Sequence, residues 1–357
     1  MDLHPRCLSS LSDLTDAASL SSIVGPVDDV QIEPLHGVGY SNASLSLVHV
    51  MRSGIIERTF VLKRTHLDED WTARRSGDDR GREALLLAEP MLAPVWDIFA
   101  SPYVAWASEA KQIGLLLRDL TPGLLPDARA PLSVDQELAL LSALTELHAR
   151  FWDDRRLTTM DWLMRASSYC DILAPSVASD RSALAVLAPS LQVDVPRGWG
   201  SALARLTPGV ARHLTCPGLD WERRWADLPR TLLHGDVKVA NFALLPGERV
   251  AAFDWALVGT GPCTIDLGWY LAVNASRLTS PKDQIVSGYR ALLETALGQP
   301  SRDSLWARLK TVAIVCGARM LLWSKALGLD ARRAGAEEDW EWWVDRLADL
   351  RIDSAAV

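Results

Sequence analysis

Residues 232–271, LLHGDVKVANFALLPGERVAAFDWALVGTGPCTIDLGWYL, constrain this chain more than any other stretch. Asp236, Asn241, Asp254 and Asp266 sit there at turn-like positions between apolar runs. A carboxylate beside a buried strand is costly unless something cationic compensates it. Gly235 lets the backbone turn tightly, which sets Asp236 on a loop. NFALL and RVAAF read as a hairpin around PGE. That hairpin would bring Asn241 and Asp254 to one end of the strand pair. Two oxygen ligands there suit a hard divalent cation, and Mg²⁺ commonly uses one or two protein ligands plus phosphate oxygens and water. Asp236 is then placed to accept or orient a hydroxyl proton.

The order His-Gly-Asp-x-x-x-x-Asn, then Asp254-Trp255 thirteen residues on, then Asp266-Leu267-Gly268 after twelve more, resembles the catalytic core of the aminoglycoside phosphotransferase family. It is also similar to the catalytic loop and metal-binding Asp of protein kinases, to which choline-kinase-like small-molecule kinases are related. The resemblance implies an α+β, two-lobed protein-kinase-like fold with a small β-rich N-lobe and a larger, mainly helical C-lobe. It implies Asp236 as base, Asn241 and Asp254 as metal ligands, and Asp266 as the carboxylate that orders the catalytic loop. His234 is expected to support that loop structurally. Lys238, two residues after Asp236, resembles the catalytic-loop lysine of Ser/Thr kinases and would add positive charge where negative charge develops.

A kinase-like fold also demands parts upstream. LHGVGYSNASLSL, with Gly37, Gly39, Ser41 and Asn42 between strand-like runs, looks like the family's phosphate-covering turn. It is not a Walker A loop, because no Gly-Lys-Ser/Thr follows. FVLKR places Lys63 on an otherwise apolar strand, and Glu83 in GREALLL is its expected partner, ahead of Arg82 and Glu89. IGLLLRDL would lead into the hinge, with adenine read by backbone near Arg118, Asp119 and Leu120. Backbone readout leaves ATP and GTP undistinguished; ATP is the expected donor, with Mg²⁺.

The remaining sequence fills in this frame. Residues 1–28 read as a short helix, 30–35, 44–50 and 58–64 as strands, 65–81 as a loop or helical flap, and 82–92 as a helix. YVAWASEA and IGLLLRDL read as two more strands. The expected division is residues 1–118 as the nucleotide lobe and 119–357 as the helical lobe with the substrate site. Ser133 and Gln136 make a capping-box pattern before a leucine-rich helix that carries His148, a packed core or cap residue. Residues 155–230 predict helices with long loops, 311–328 a buried helix, and 337–350 an amphipathic terminal helix.

Composition sets the exclusions. Of 357 residues, 48% are hydrophobic and 23% charged, as in soluble globular proteins. The formal net charge of −8 argues against non-specific nucleic-acid binding. No uninterrupted apolar run reaches the roughly 18 residues of a membrane span, so no membrane partner is expected. The N-terminus lacks a basic segment leading into an apolar core, and Cys7, Cys170, Cys216, Cys263 and Cys316 form no CxxC pair. A cytoplasmic protein without disulfides or zinc is expected. Most of the fifteen tryptophans should fill the core. No G-x-S-x-G occurs, which disfavours a serine hydrolase. Three readings remain in order of preference: a kinase acting on a hydroxyl of a small molecule (aminoglycoside-, sugar- or amino-alcohol-like), a catalytically silent nucleotide-binding module, and a protein kinase. Only twelve residues separate Asp254 from Asp266, which leaves little room for a peptide-docking activation loop. Sequence says nothing of oligomeric state.

Overall fold

The computed structural model describes residues 5–35, 42–125, 130–215, 221–247 and 249–350. Its strands, in chain order, are β1 (Arg6–Cys7), β2 (Asp29–Leu35), β3 (Ser44–Arg52), β4 (Ile55–His66), β5 (Tyr103–Glu109), β6 (Gln112–Arg118), β7 (Met164–Arg165), β8 (Thr231–Leu233), β9 (Phe242–Leu245), β10 (Arg249–Ala252) and β11 (Gly259–Gly261). The helices used below are α1 (Ala17–Val24), α2 (Trp71–Ser76), α3 (Arg82–Ala88), α4 (Val134–Arg150), α5 (Pro189–Arg205), α6 (Thr264–Val273), α7 (Lys282–Leu297), α8 (Asp303–Asp330) and α9 (Ala336–Ala348). The chain forms two compact units. One comprises Met1–Leu124 with Phe242–Ala256, the other Leu125–Asn241 with Leu257–Val357.

The first unit is built on a six-stranded sheet of order β1-β5-β6-β4-β3-β2. Period-two alternation decides its faces. Phe60 and Leu62 of β4 join Val48, Val50 and Leu116 in a core covered by Leu14, Leu20 and Ile23. Val61 and Lys63 therefore point to the opposite face. Asp78 accepts hydrogen bonds from the amides of Gly81 and Arg82 at 2.8 and 2.9 Å, which starts α3 and sets Glu83 in its first turn. The β9–β10 hairpin pairs Phe242 with Ala252, as the sequence predicts. It joins the unit through the Ala100–Ala251 and Leu124–Ala243 bridges. Trp96, Phe99, Tyr103, Phe242 and Trp255 pack there edge-to-face or tilted, with ring centroids 5.6–6.2 Å apart. Each such pair contributes about 0.5–1.5 kcal/mol beyond its buried area.

The second unit is mainly helical. Its long helix α8 packs against α5, α6 and α9, while α7 packs against α4. Close approach depends on small residues: a Cβ on Gly268 of α6 would stand 2.3 Å from the Ala313 carbonyl of α8. A three-stranded sheet of order β7-β11-β8 leads into the loop that carries Asp236. The Ser133/Gln136 capping box at the start of α4 is present in full.

Several local expectations change. Residues 1–28 hold strand β1 and a 3-10 turn before the eight-residue α1. The helix expected over 82–92 stops at Ala88, because Pro90 forces Glu89 into extended backbone. The buried helix expected over 311–328 is the middle of the 28-residue α8. By length and composition α8 could cross a bilayer, and 72% of its most apolar window is buried. Arg319 and Lys325 interrupt its apolar run in sequence, which is why no uninterrupted 18-residue stretch is found. Four cysteines are free thiols, and Cys170 and Cys316 meet in the core at 2.7 Å. Cys216 lies outside the described residues.

Candidate active site

Asp236 sits on the loop after β8, in the second unit. Gly235 has φ +83°, and a Cβ there would lie 2.1 Å from the Leu257 carbonyl, so only glycine fits this turn. The loop is fixed from beneath by Asp266, fully buried in the first turn of α6. Its two carboxylate oxygens accept the amides of His234 at 2.8 Å and Gly235 at 2.9 Å. Asp266 also contacts the His148 imidazole at 3.2 Å, and His148 bonds the Tyr289 hydroxyl at 2.6 Å. Asn274, just past α6, accepts the Val239 amide and donates to the Val237 carbonyl, both at 2.9 Å. His234 itself is buried, and its Nδ1 accepts the Asp236 amide at 3.2 Å. That bond leaves Nδ1 without its proton.

The Asp236 carboxylate is held from three sides. Oδ2 meets the Lys238 ammonium at 2.8 Å and the Asn241 amide at 3.0 Å. Oδ1 accepts the Trp269 indole N–H at 2.8 Å. Asn241 also donates Nδ2 to the Asp236 carbonyl at 2.9 Å, which turns its own Oδ1 away from Asp236.

A second cluster forms within the first unit. Lys63 Nζ reaches Glu83 at 2.7 Å and Asp254 at 2.6 Å. Burial alone would drive the Lys63 pKa down; the charges of Asp254 and Glu83 outweigh it and hold the ammonium well above its ordinary value. The other Glu83 oxygen accepts the Tyr103 hydroxyl at 2.6 Å and the Trp255 amide at 3.3 Å. Burial, and then the Glu83 charge, push Tyr103 well above its usual pKa, so it stays a donor. Asp254 has φ +62°, a left-handed conformation costly for a residue with a side chain. It follows β10 by two residues, while Asn241 directly precedes β9.

The predicted residues thus fall into groups. Lys63, Glu83 and Asp254 come together in one unit; Asp236, Lys238, Asn241, His234 and Asp266 come together in the other. Gly37, Gly39 and Ser41 lie outside the described residues. Asn42 donates its amide to Asp70 and its side chain to the Glu69 carbonyl, at 3.1 and 2.8 Å. Asp119 and Leu120 line a recess of about 410 Å³ with Pro122, Gly123, Leu244, Leu245 and Pro246. The Asp119 carboxylate there closes a turn on the Thr121 amide. Sequence reading missed Tyr103, Trp269 and Asn274. Tyr103 carries no local signal. Trp269 stands three residues after Asp266 on one helix, a spacing that shares a face. Asn274 stands where α6 ends.

Among the described residues no three His, Cys, Asp or Glu side chains cluster as a metal cage. The oxygens of Asn241 and Asp254 have the chemistry of Mg²⁺ ligands, which need few protein donors when phosphate supplies the rest.

Comparison with known proteins places this arrangement. A protein from Ralstonia eutropha, provisionally named an aminoglycoside phosphotransferase, is 13% identical, with 94% of this chain and 95% of that one covered and a TM-score of 0.51. The choline kinase LicA of Streptococcus pneumoniae, also 13% identical, covers 93% and 97% at a TM-score of 0.47. An aminoglycoside phosphotransferase of Streptomyces rimosus, solved with ADP and streptomycin, is 18% identical and covers 84% and 97% at 0.45. Only the first of these three is near enough to bear on the fold, and it agrees with a protein-kinase-like α+β architecture. No curated protein matches the sequence significantly. The model of the phosphotransferase enzyme family matches residues 39–309, about three quarters of the chain and all of the motifs from Asn42 to Asp266, and this protein belongs to that family.

Proposed function

We propose that the protein transfers the γ-phosphoryl group of ATP to a hydroxyl of a small molecule. The observation that carries this reading is the Asp236 carboxylate, fixed by Lys238, Asn241 and Trp269 on a loop ordered by Asp266. Family membership supports the reaction class. Phosphoryl transfer asks a protein mainly for positioning and charge neutralisation. Asp236 aligns the acceptor hydroxyl and takes its proton as the oxygen attacks the γ-phosphorus and ADP leaves. Lys238 lies beside the oxygens where negative charge develops. Lys63, positioned by Glu83, holds nucleotide phosphate. The recess at Asp119 and Leu120 takes the base. Asn241 and Asp254 would hold Mg²⁺, which when bound would neutralise phosphate charge. The acceptor is an amino-alcohol, a sugar or an aminoglycoside-like molecule, and the site acts in the cytoplasm.

A screen of such acceptors with ATP and Mg²⁺, read by mass spectrometry, tests this. The expected product gains about 80 Da, the mass of one transferred phosphoryl group. ATP bound tightly but never consumed, with any acceptor or water, would favour a silent nucleotide-binding module instead.

A further inference from the structure

The Asp236 carboxylate has two unlike oxygens. Oδ2 carries both Lys238 and Asn241, at 2.8 and 3.0 Å. Oδ1 carries one neutral donor, the Trp269 indole N–H at 2.8 Å. A carboxylate oxygen has room for two donors. Oδ1 is therefore the oxygen with capacity for an incoming hydroxyl. Its direction is fixed by a donor that does not ionise at ordinary pH.

The indole is well anchored. Trp269 lies in α6, three residues beyond the buried Asp266 that holds the His234 and Gly235 amides. At Gly268, between the two, α6 touches the α8 backbone so closely that no Cβ would fit. One helix thus orders the loop through Asp266 and the carboxylate plane through Trp269. We infer that Trp269 is a positioning residue: its N–H fixes the rotation of the Asp236 carboxylate and leaves Oδ1 as the oxygen that receives the acceptor's proton. This inference rests on Asp236 acting as base.

Removing the donor has two consequences. The carboxylate can turn, and it loses one of the donors that hold it in place. Trp269→Phe keeps a ring and loses the N–H. Trp269→His, with its ring turned over, puts Nε2 where the indole nitrogen was.

The full chain labelled with ¹⁵N-tryptophan gives a readout that needs no acceptor. The Trp269 signal is assigned by its disappearance in Trp269→Phe. It is expected to shift in Asp236→Ala. A Trp269 signal indifferent to that substitution would overturn the contact. ADP release from ATP and water then tests the consequence. Trp269→Phe is expected to slow release about tenfold and to leave KM for ATP unchanged. Trp269→His should recover much of the rate. A wild-type rate in folded Trp269→Phe, alongside a crippled Asp236→Asn, would refute the positioning role. Full ADP release by Asp236→Asn would instead refute the base, with the indole–carboxylate contact still judged by its own signal.

Discussion

Lys63 shows how one residue's environment decides its meaning. On sequence alone it is a lysine on an apolar strand, which by itself reads first as a side chain reaching solvent. In the structure it is flanked by two carboxylates and largely removed from water. Breaking a buried pair by removing one partner costs about 3–5 kcal/mol, because the remaining charge is left uncompensated. Lys63→Met is therefore expected to lose about that much stability in urea unfolding, and unchanged midpoints would contradict the ion-pair account. Asp254 is expected to matter differently. Asp254→Ala should abolish the magnesium dependence of nucleotide binding in titration calorimetry, and a wild-type response to Mg²⁺ would remove it as a ligand. The Lys63–Glu83 pair was legible because its residue types and order match the motif, and the two side chains meet at 2.7 Å. Tyr103 and Asn274 were not: a donor to a buried carboxylate can come from any neighbouring element, and only the fold says which.

At the scale of elements, the loop from His234 to Asn241 depends on its supports. Gly235 is the sharpest point, with positive φ and the Leu257 carbonyl against its α-carbon. Gly235→Ala combines backbone strain with a steric clash and should cost roughly 2–4 kcal/mol, together with most of the activity. Full stability in that variant would show that the turn can relax. The sequence identified this loop, the β9–β10 hairpin and the α4 capping box, since turn chemistry and caps are local signals. It misjudged the ends of α1, α3 and α8. Pro90 halts α3 two residues after Ala88, and charged residues within α8 hid a helix continuous over seven turns and more. β7 and β11 gave no legible pattern, being held by pairing remote in sequence, whereas the helices expected over 155–230 do form there, without their bounds having been read.

For the whole molecule, titration follows from the ion pairs. Glu294 is held down to about 2 by the Ser301 hydroxyl and then Arg290. Arg156 lowers Asp154, and Arg346 lowers Asp283, each chiefly through a side-chain hydrogen bond. A carboxylate with a depressed folded pKa stabilises the fold above its unfolded value, near 4, and loses that contribution as pH falls through the folded value. Lys63 has the opposite sign: its raised pKa stabilises the fold below the unfolded value and is lost only in strong alkali. The contribution of these ion pairs to urea midpoints should thus be constant from about pH 6 to 9 and fall from about 4.5 to 2. A steady decline beginning at about pH 6 would point to groups other than these. The broad division into a β-rich unit and a mainly helical one was legible from strand and helix periodicity, and the motif order pointed to the family. The acceptor was not legible, since its contacts come from side chains that no motif fixes.

The most direct measurement compares wild type with Asp236→Ala in ATP-dependent phosphorylation of an acceptor that gains about 80 Da, with nucleotide affinity measured alongside. Asp236→Ala is expected to lower kcat by about 10²–10⁴ while binding ATP as the wild type does. Turnover by Asp236→Ala at the wild-type rate would contradict the account.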